Sequence, residues 1–205
     1  MKEHLYDKQL NIKTGAVQMT PTKSFHYHRY EPTPYQALET FFGQYKLKSS
    51  DRVVDFGCGK GRLLFFTHHL FHSTVIGVEM NEGLFQEAIA NRERYLQKAK
   101  LRTEKIQFHC CFAEEYQINP LDNCFYFFNP FTIQIFIKIV NNVLLSAEKS
   151  LREIDLVLYY PSENYIYYLE NHTPFELQEE IVLPGLFEHN PNERFLIYRL
   201  RKINS

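Results

Sequence analysis

Apolar residues follow two rhythms along this chain. Short apolar runs, bounded by turn residues, alternate with longer stretches where an apolar residue recurs every three or four positions. The first rhythm predicts strands buried on both faces, at about 52–56, 74–79, 105–111, 124–128 and 154–160. The second predicts helices. One carries Tyr35, Leu38, Phe42 and Tyr45 on a single face, behind Thr33-Pro34-Tyr35-Gln36, which has the pattern of a capping box with proline at the first helical position. Others are predicted at 60–71, at 82–99 with Phe85, Ala88, Ile89 and Leu96 inward, and at 132–149 with Phe136, Ile139, Val140, Val143 and Leu144 inward. A short helix is predicted over 163–169. Two last strands, 175–182 and 194–201, flank a loop containing Pro184-Gly185 and Asn190-Pro191-Asn192. This order predicts an α/β fold: a doubly wound, mostly parallel seven-stranded sheet with an antiparallel terminal strand. Residues 31–205 read as one domain, and 1–30 as an N-terminal arm or lid segment.

The first predicted strand runs into Asp55-Phe56-Gly57-Cys58-Gly59-Lys60-Gly61. Glycines on alternate positions let the backbone turn sharply and approach a ligand closely. A dinucleotide site needs G-x-G-x-x-G, so that a pyrophosphate sits on the helix N-terminus. Here the spacing is G-x-G-x-G, and the carboxylate of Asp55 has the wrong sign for a pyrophosphate. It suits a ligand carrying an ammonium group, and a nicotinamide dehydrogenase is correspondingly disfavoured. The second strand, Thr74 to Val78, leads into Glu79, Met80 and Asn81. Glu79 lies 22 residues after Gly57, close to the offset at which a carboxylate meets ribose hydroxyls. Asn81 is a fair cap for the next helix.

These residues resemble the class I S-adenosylmethionine-dependent methyltransferases, whose first motif is an acid followed by x-G-x-G-x-G. The resemblance implies S-adenosylmethionine as cofactor, with Asp55, Gly57, Cys58, Gly59 and Gly61 around its methionine part, Glu79 on the ribose and Met80 against the adenine. After the third strand such proteins often place an acid for the adenine amino group. This chain has Phe112 there, so backbone groups of Phe112 and Ala113 are the expected contacts, with Glu114 as another source of a carboxylate. The fourth strand ends in Asn129-Pro130-Phe131, similar to the N-P-P-aromatic motif of amino-group methylases with one proline missing. The resemblance implies catalysis by Asn129, Pro130 and Phe131: the Asn carbonyl orients an acceptor nitrogen, proline stiffens the peptide, and the aromatic faces the acceptor. Asn129 is also placed to touch the cofactor. The alternative reading of these three residues is a helix start with Asn129 as its cap. Tyr27, Arg29, Tyr30, Glu31 and Tyr35 fall in a segment that such proteins use as a lid, which makes Tyr30, Glu31 and Tyr35 candidate substrate contacts.

Composition adds limits. The chain has 205 residues, 44% hydrophobic and 16% aromatic, which suffices for one well-filled core. A net charge of −1 does not favour a nucleic-acid partner; a basic stretch from Arg92 to Lys105 reads as a solvated helix face and loop. Cys58, Cys110, Cys111 and Cys124 lack C-x-x-C spacing and read as small hydrophobes in or beside strands, consistent with a reducing cytoplasm. No apolar leader opens the chain, and the longest apolar run, 125–145, is broken by polar residues, so no membrane span is expected. His68 and His72 stand four apart, but no third metal ligand accompanies them. The sequence thus predicts a cytoplasmic methyltransferase acting by in-line displacement, with an unidentified acceptor, a small molecule or a protein amino group, methylated on nitrogen. The competing reading is a binding module that keeps the cofactor without catalysis. Oligomeric state leaves no trace in the sequence.

Overall fold

A central parallel strand with apolar residues on both faces has to be covered by helices on both sides, and the chain does this. The computed structural model describes residues 2–15 and 30–201. Tyr27 and Arg29, like His26 and His28, lie outside the described residues. In chain order the elements are α1 (Lys2–Leu10), α2 (Tyr35–Gln44), β1 (Arg52–Phe56), α3 (Arg62–Phe71), β2 (Thr74–Val78), α4 (Glu82–Ala99), β3 (Ile106–His109), β4 (Cys124–Phe127), α5 (Ile133–Lys149), β5 (Ile154–Tyr159), α6 (Glu163–His172), β6 (Glu176–Val182) and β7 (Arg194–Leu200). The seven strands form one sheet in the order β3-β2-β1-β4-β5-β7-β6. The first five run parallel, and β7 lies antiparallel between β5 and β6. The predicted architecture, antiparallel strand included, is therefore what the chain adopts.

Each face of the sheet has its own core. Val53, Val75, Tyr126 and Val157 point to one, with α1, α2 and α3. Val54, Ile76, Phe125 and Leu156 point to the other, with α5 and α6. The period-two alternation of β1 thus divides its side chains between two helix layers. Strand β6, at the edge, buries Ile181 and exposes most of the rest, including Glu176, Glu179 and Glu180. Charged edge residues discourage pairing with another chain. Among the described residues no helix is long and apolar enough to cross a membrane.

Several local expectations are corrected. Thr33 does not cap α2. The cap position is Pro34, without a side-chain bond. Thr33 instead turns inward, its hydroxyl 2.8 Å from that of Tyr126. The free amide of Tyr35 donates to Glu3 at 2.8 Å, so α1 supplies the cap from 32 residues away. Helix α4 buries Leu84, Ala88, Asn91 and Tyr95, a face rotated from Phe85, Ile89 and Leu96. The rotation is set by Asn91, whose side chain binds the backbone of Lys13 and Lys60 at 2.7–3.2 Å. Asn81 does cap α4, accepting from Leu84. Helix α6 runs to His172, three residues further than its apolar pattern indicated. Only Cys58 and Cys124 behave as small core hydrophobes; Cys110 is exposed and Cys111 half-buried. His68 is buried with its ring nitrogen 2.9 Å from the Tyr95 hydroxyl.

Candidate active site

Open α/β sheets bind ligands beyond the carboxyl ends of their strands, where strand order reverses. Here the reversal lies between β1 and β4, and it brings Asp55, the glycine turn, Glu79 and Asn129-Pro130 to one edge of the sheet.

Asp55 sits on β1, paired in register with Gly77 of β2 and Tyr126 of β4. It is 6% exposed. Among the described residues no hydrogen bond reaches its carboxylate. Burial, and then the nearby charge of Glu79, pushes its carboxyl up to about 8. Glu79 is equally buried but differently served. Its Oε2 accepts from the amide of Gly59 at 3.0 Å and its Oε1 from that of Asn81 at 2.8 Å. Burial raises its carboxyl too, but these backbone donors hold it back. The two acids are thus served differently: backbone N–H groups oppose the effect of burial on Glu79, whereas Asp55 takes up a proton until something cationic or hydrogen-bonding arrives.

The turn after β1 is folded tightly. Gly57 and Cys58 both donate to the carbonyl of Val78, at 2.9 and 3.1 Å. Gly57 is exposed at the edge, with φ +80°, and a Cβ there would meet Cβ of Pro130 at 3.0 Å. The β4 motif is thus seated directly on the glycine turn. Gly59 has φ +52°, and a Cβ there would stand 2.0 Å from the ring of Tyr30. Tyr30 is itself buried, its hydroxyl donating to the carbonyl of Thr14 at 3.0 Å. Gly61 lies further inside, under Phe65 and Phe108, where it serves the packing of α3 on the sheet.

A cleft of about 300 Å³, open mouth included, is lined by Tyr30, Glu31, Pro32, Thr33, Asp55, Gly57, Cys58, Arg62, Leu63, Tyr126 and Phe128. It gathers the acid, the start of the glycine turn and two of the three lid candidates. The third, Tyr35, is fully buried with its hydroxyl on Asp7 at 2.7 Å, away from the cleft. Glu79 and Met80 stand at the adjoining end of β2. Phe112 is 47% exposed, whereas Ala113 is buried at the start of a single helical turn. Glu114 is 3.9 Å from Lys138 of α5. Asn129 has φ +40° and lies three residues before Thr132, the true cap position of α5, so the reading of Asn129 as that cap is corrected. Phe131 is 2% exposed, its backbone hydrogen-bonded at both N–H and C=O to the Tyr165 hydroxyl. The aromatic ring in the cleft wall is that of Phe128 instead.

Sequence reasoning missed the support behind this cleft. Arg62, 4% exposed, opens α3, where a cation meets the unfavourable end of the helix dipole. It is held by an ion pair with Glu3, by Thr14 Oγ at 2.8 Å, by the Thr33 carbonyl at 3.3 Å and by the face of Tyr35. Asp7 accepts from the amide and the hydroxyl of Thr14, both at 2.7 Å. Helix α1 is thereby tied to the first turn of α3. The available signal was an arginine opening the apolar run Leu63-Leu64-Phe65-Phe66: a buried guanidinium requires acids from elsewhere in the chain.

No protein-family model matches the chain. A protein-lysine N-methyltransferase of Saccharolobus islandicus is 35% identical over 66 residues, which are 32% of this chain and 41% of that protein. The match thus spans less than half of the relative's length. Among solved structures, an RNA methyltransferase from Salinibacter ruber in complex with S-adenosyl-L-homocysteine superimposes over 85% of this chain and 95% of its own, with a TM-score of 0.55 at 16% identity. This chain has the class I methyltransferase fold. The geranyl diphosphate C-methyltransferase of Streptomyces coelicolor is also similar, over 82% of this chain and 79% of its own, with a TM-score of 0.53 at 10% identity. Within the class I fold, Asp55 and the glycine turn occupy the β1–α3 junction and Glu79 the end of β2, as the sequence motifs predict.

Proposed function

We propose that this chain binds S-adenosylmethionine through Asp55, the Gly57–Gly59 turn and Glu79, and transfers its methyl group to a nitrogen of an acceptor. The observation that carries the reading is Asp55: a buried carboxyl without a hydrogen-bond partner among the described residues, facing a cleft beside a turn that only glycine can make. Burying such a group is costly unless a ligand completes it. An ammonium group does so, and a pyrophosphate does not. The methyl donor supplies a carbon made electrophilic by the adjoining sulfonium. The chain's own contribution is position: Glu79 presents an ordered carboxylate to a ribose, Asn129 presents an amide at the end of β4, and Pro130, seated on Gly57, fixes the distance between the two motifs. The nitrogen acceptor is supported by Asn129-Pro130 and by the partial likeness to a lysine methyltransferase.

Calorimetry with S-adenosylhomocysteine and NAD tests the cofactor. S-adenosylhomocysteine should bind and NAD should not; comparable affinity for NAD would overturn the reading. The same titration reports on Asp55. Its folded value of about 8 lies above the ordinary carboxylate range, so it adds stability to the empty protein at low pH and loses that contribution as pH rises through about 8. A bound ammonium favours the ionised form. At pH 7 binding should therefore release most of one proton, seen as a dependence of the heat on buffer ionisation enthalpy. Asp55→Asn should remove that dependence and weaken binding. A heat independent of buffer in the wild type would show that Asp55 does not meet the ligand.

Glu79→Ala should cost roughly 1.5–3 kcal/mol of affinity for S-adenosylhomocysteine by removing charge-assisted acceptors. Because Glu79 also holds the amides of Gly59 and Asn81, the melting temperature should fall as well. Unchanged affinity would mean that Glu79 serves the turn alone.

A further inference from the structure

Among the described residues, five non-glycine residues have positive φ: Asn11, His72, Lys100, Asn129 and Tyr160. Asn11 follows the last turn of α1, and His72 and Lys100 end α3 and α4, so those three have an ordinary reason for the conformation. The other two end neighbouring parallel strands. Phe127 pairs with Leu158, so Asn129 and Tyr160 follow the carboxyl ends of two adjacent strands, and Phe128, between Phe127 and Asn129, lines the cleft. For a tyrosine a φ of +52° is costly and persists only where the surroundings impose it. They do: the Tyr160 amide donates to the Arg194 carbonyl at 3.1 Å, and its hydroxyl accepts from Asn190 at 2.7 Å. Phe128, in the cleft wall, lies 6.4 Å from the Tyr160 ring and 4.6 Å from that of Tyr159. Glu193 accepts from the Tyr159 hydroxyl at 2.8 Å. Burial, then the hydrogen bond to Glu193, raises that hydroxyl well above its ordinary value. Glu31 lines the cleft together with Phe128. Among the described residues neither Glu31 nor Glu193 has a cationic partner.

We infer that the acceptor is an alkylammonium, lodged between the ends of β4 and β5 against Phe128 and Tyr160, with Glu31 and Glu193 drawing its charge. This rests on the methyltransferase reading and names the substrate class of the same site. Aromatic faces and carboxylates attract a protonated amine. They repel a phosphate backbone. The carboxylates favour the charged amine and so draw it in, and solvent at the open mouth of the cleft is there to take its proton. Transfer conserves charge: the ammonium gives one proton to water, its lone pair forms the new N–C bond, and the pair of the broken C–S bond stays on sulfur. The products are a methylammonium and a neutral thioether. Two sources carry this group, a lysine side chain of a protein and a free diamine.

The test uses the full chain and S-adenosylmethionine with a tritiated methyl group, offered poly-L-lysine, cadaverine or total transfer RNA. Affinity for S-adenosylhomocysteine is measured separately by calorimetry. Label in poly-L-lysine identifies a protein acceptor, and label in cadaverine a small one; either supports the inference. Tyr160→Gly keeps the backbone conformation and removes the ring. It should lower kcat/KM for the amine roughly tenfold or more while S-adenosylhomocysteine affinity stays within about threefold. Glu31→Gln, on an exposed side chain, should raise KM for the amine. Label in RNA alone, no label in either amine, or an amine rate unaffected by Tyr160→Gly would overturn the inference and leave the cofactor reading standing. Failure to bind S-adenosylhomocysteine would instead remove both.

Discussion

Replacing Gly59 by valine is expected to eliminate S-adenosylhomocysteine binding, a loss of roughly a hundredfold or more in affinity. Two effects act together. The backbone at Gly59 has φ +52°, which a β-branched residue adopts only with strain of about 1–3 kcal/mol. The new Cβ would also stand 2.0 Å from the Tyr30 ring, so Tyr30 must leave its place under the Thr14 carbonyl. Even a shift that saved the fold would move the Gly59 amide away from Glu79 and turn the Glu79 carboxylate. Calorimetry alongside a thermal melt checks this. Retained affinity in a folded variant would show that the turn does not touch the ligand.

The second large effect is expected at Asn129. Asn129→Ala should cut turnover by roughly an order of magnitude or more and change cofactor affinity much less, because an interaction made mainly in the transition state appears in the rate. Alanine tolerates φ +40° less well than asparagine does, so Asn129→Gly, which keeps the conformation, is the better variant. Both should be slow. A glycine variant as fast as wild type would reduce Asn129 to a turn residue. Since Thr132 occupies the cap of α5, loss of a helix cap does not complicate the comparison.

The strands and most of the helices were legible in the sequence because central parallel strands are apolar on both faces and helices on one. Val53-Val54 and Val75-Ile76 permit little else. Glycine spacing and strand-end acids marked the β1 and β2 parts of the candidate site for the same reason: they are local to one turn. What stayed hidden depends on distant partners. Helix α1 has too few apolar positions to announce a buried face, and its place is fixed by Glu3 and Asp7 meeting Arg62, Tyr35 and Thr14. The face of α4 turns on one buried amide, Asn91, which periodicity counts as polar. The aromatic in the cleft, Phe128 rather than Phe131, depends on where β4 ends, and a motif does not resolve one residue of register.

The insertion of β7 between β5 and β6 also sets an order of events during synthesis. Strand β5 has no partner on that side, and β6 has no place in the sheet, until Arg194–Leu200 has left the ribosome. Until then the nascent chain carries an open β5 edge, apolar but for Asp155, the kind of surface that chaperones shield and that aggregates when left alone. Tyr160 and Asn190 also meet only across this late-closing seam. The Tyr160 side of the molecule is thus assembled last, after the strands that carry the glycine turn and its two acids have been made.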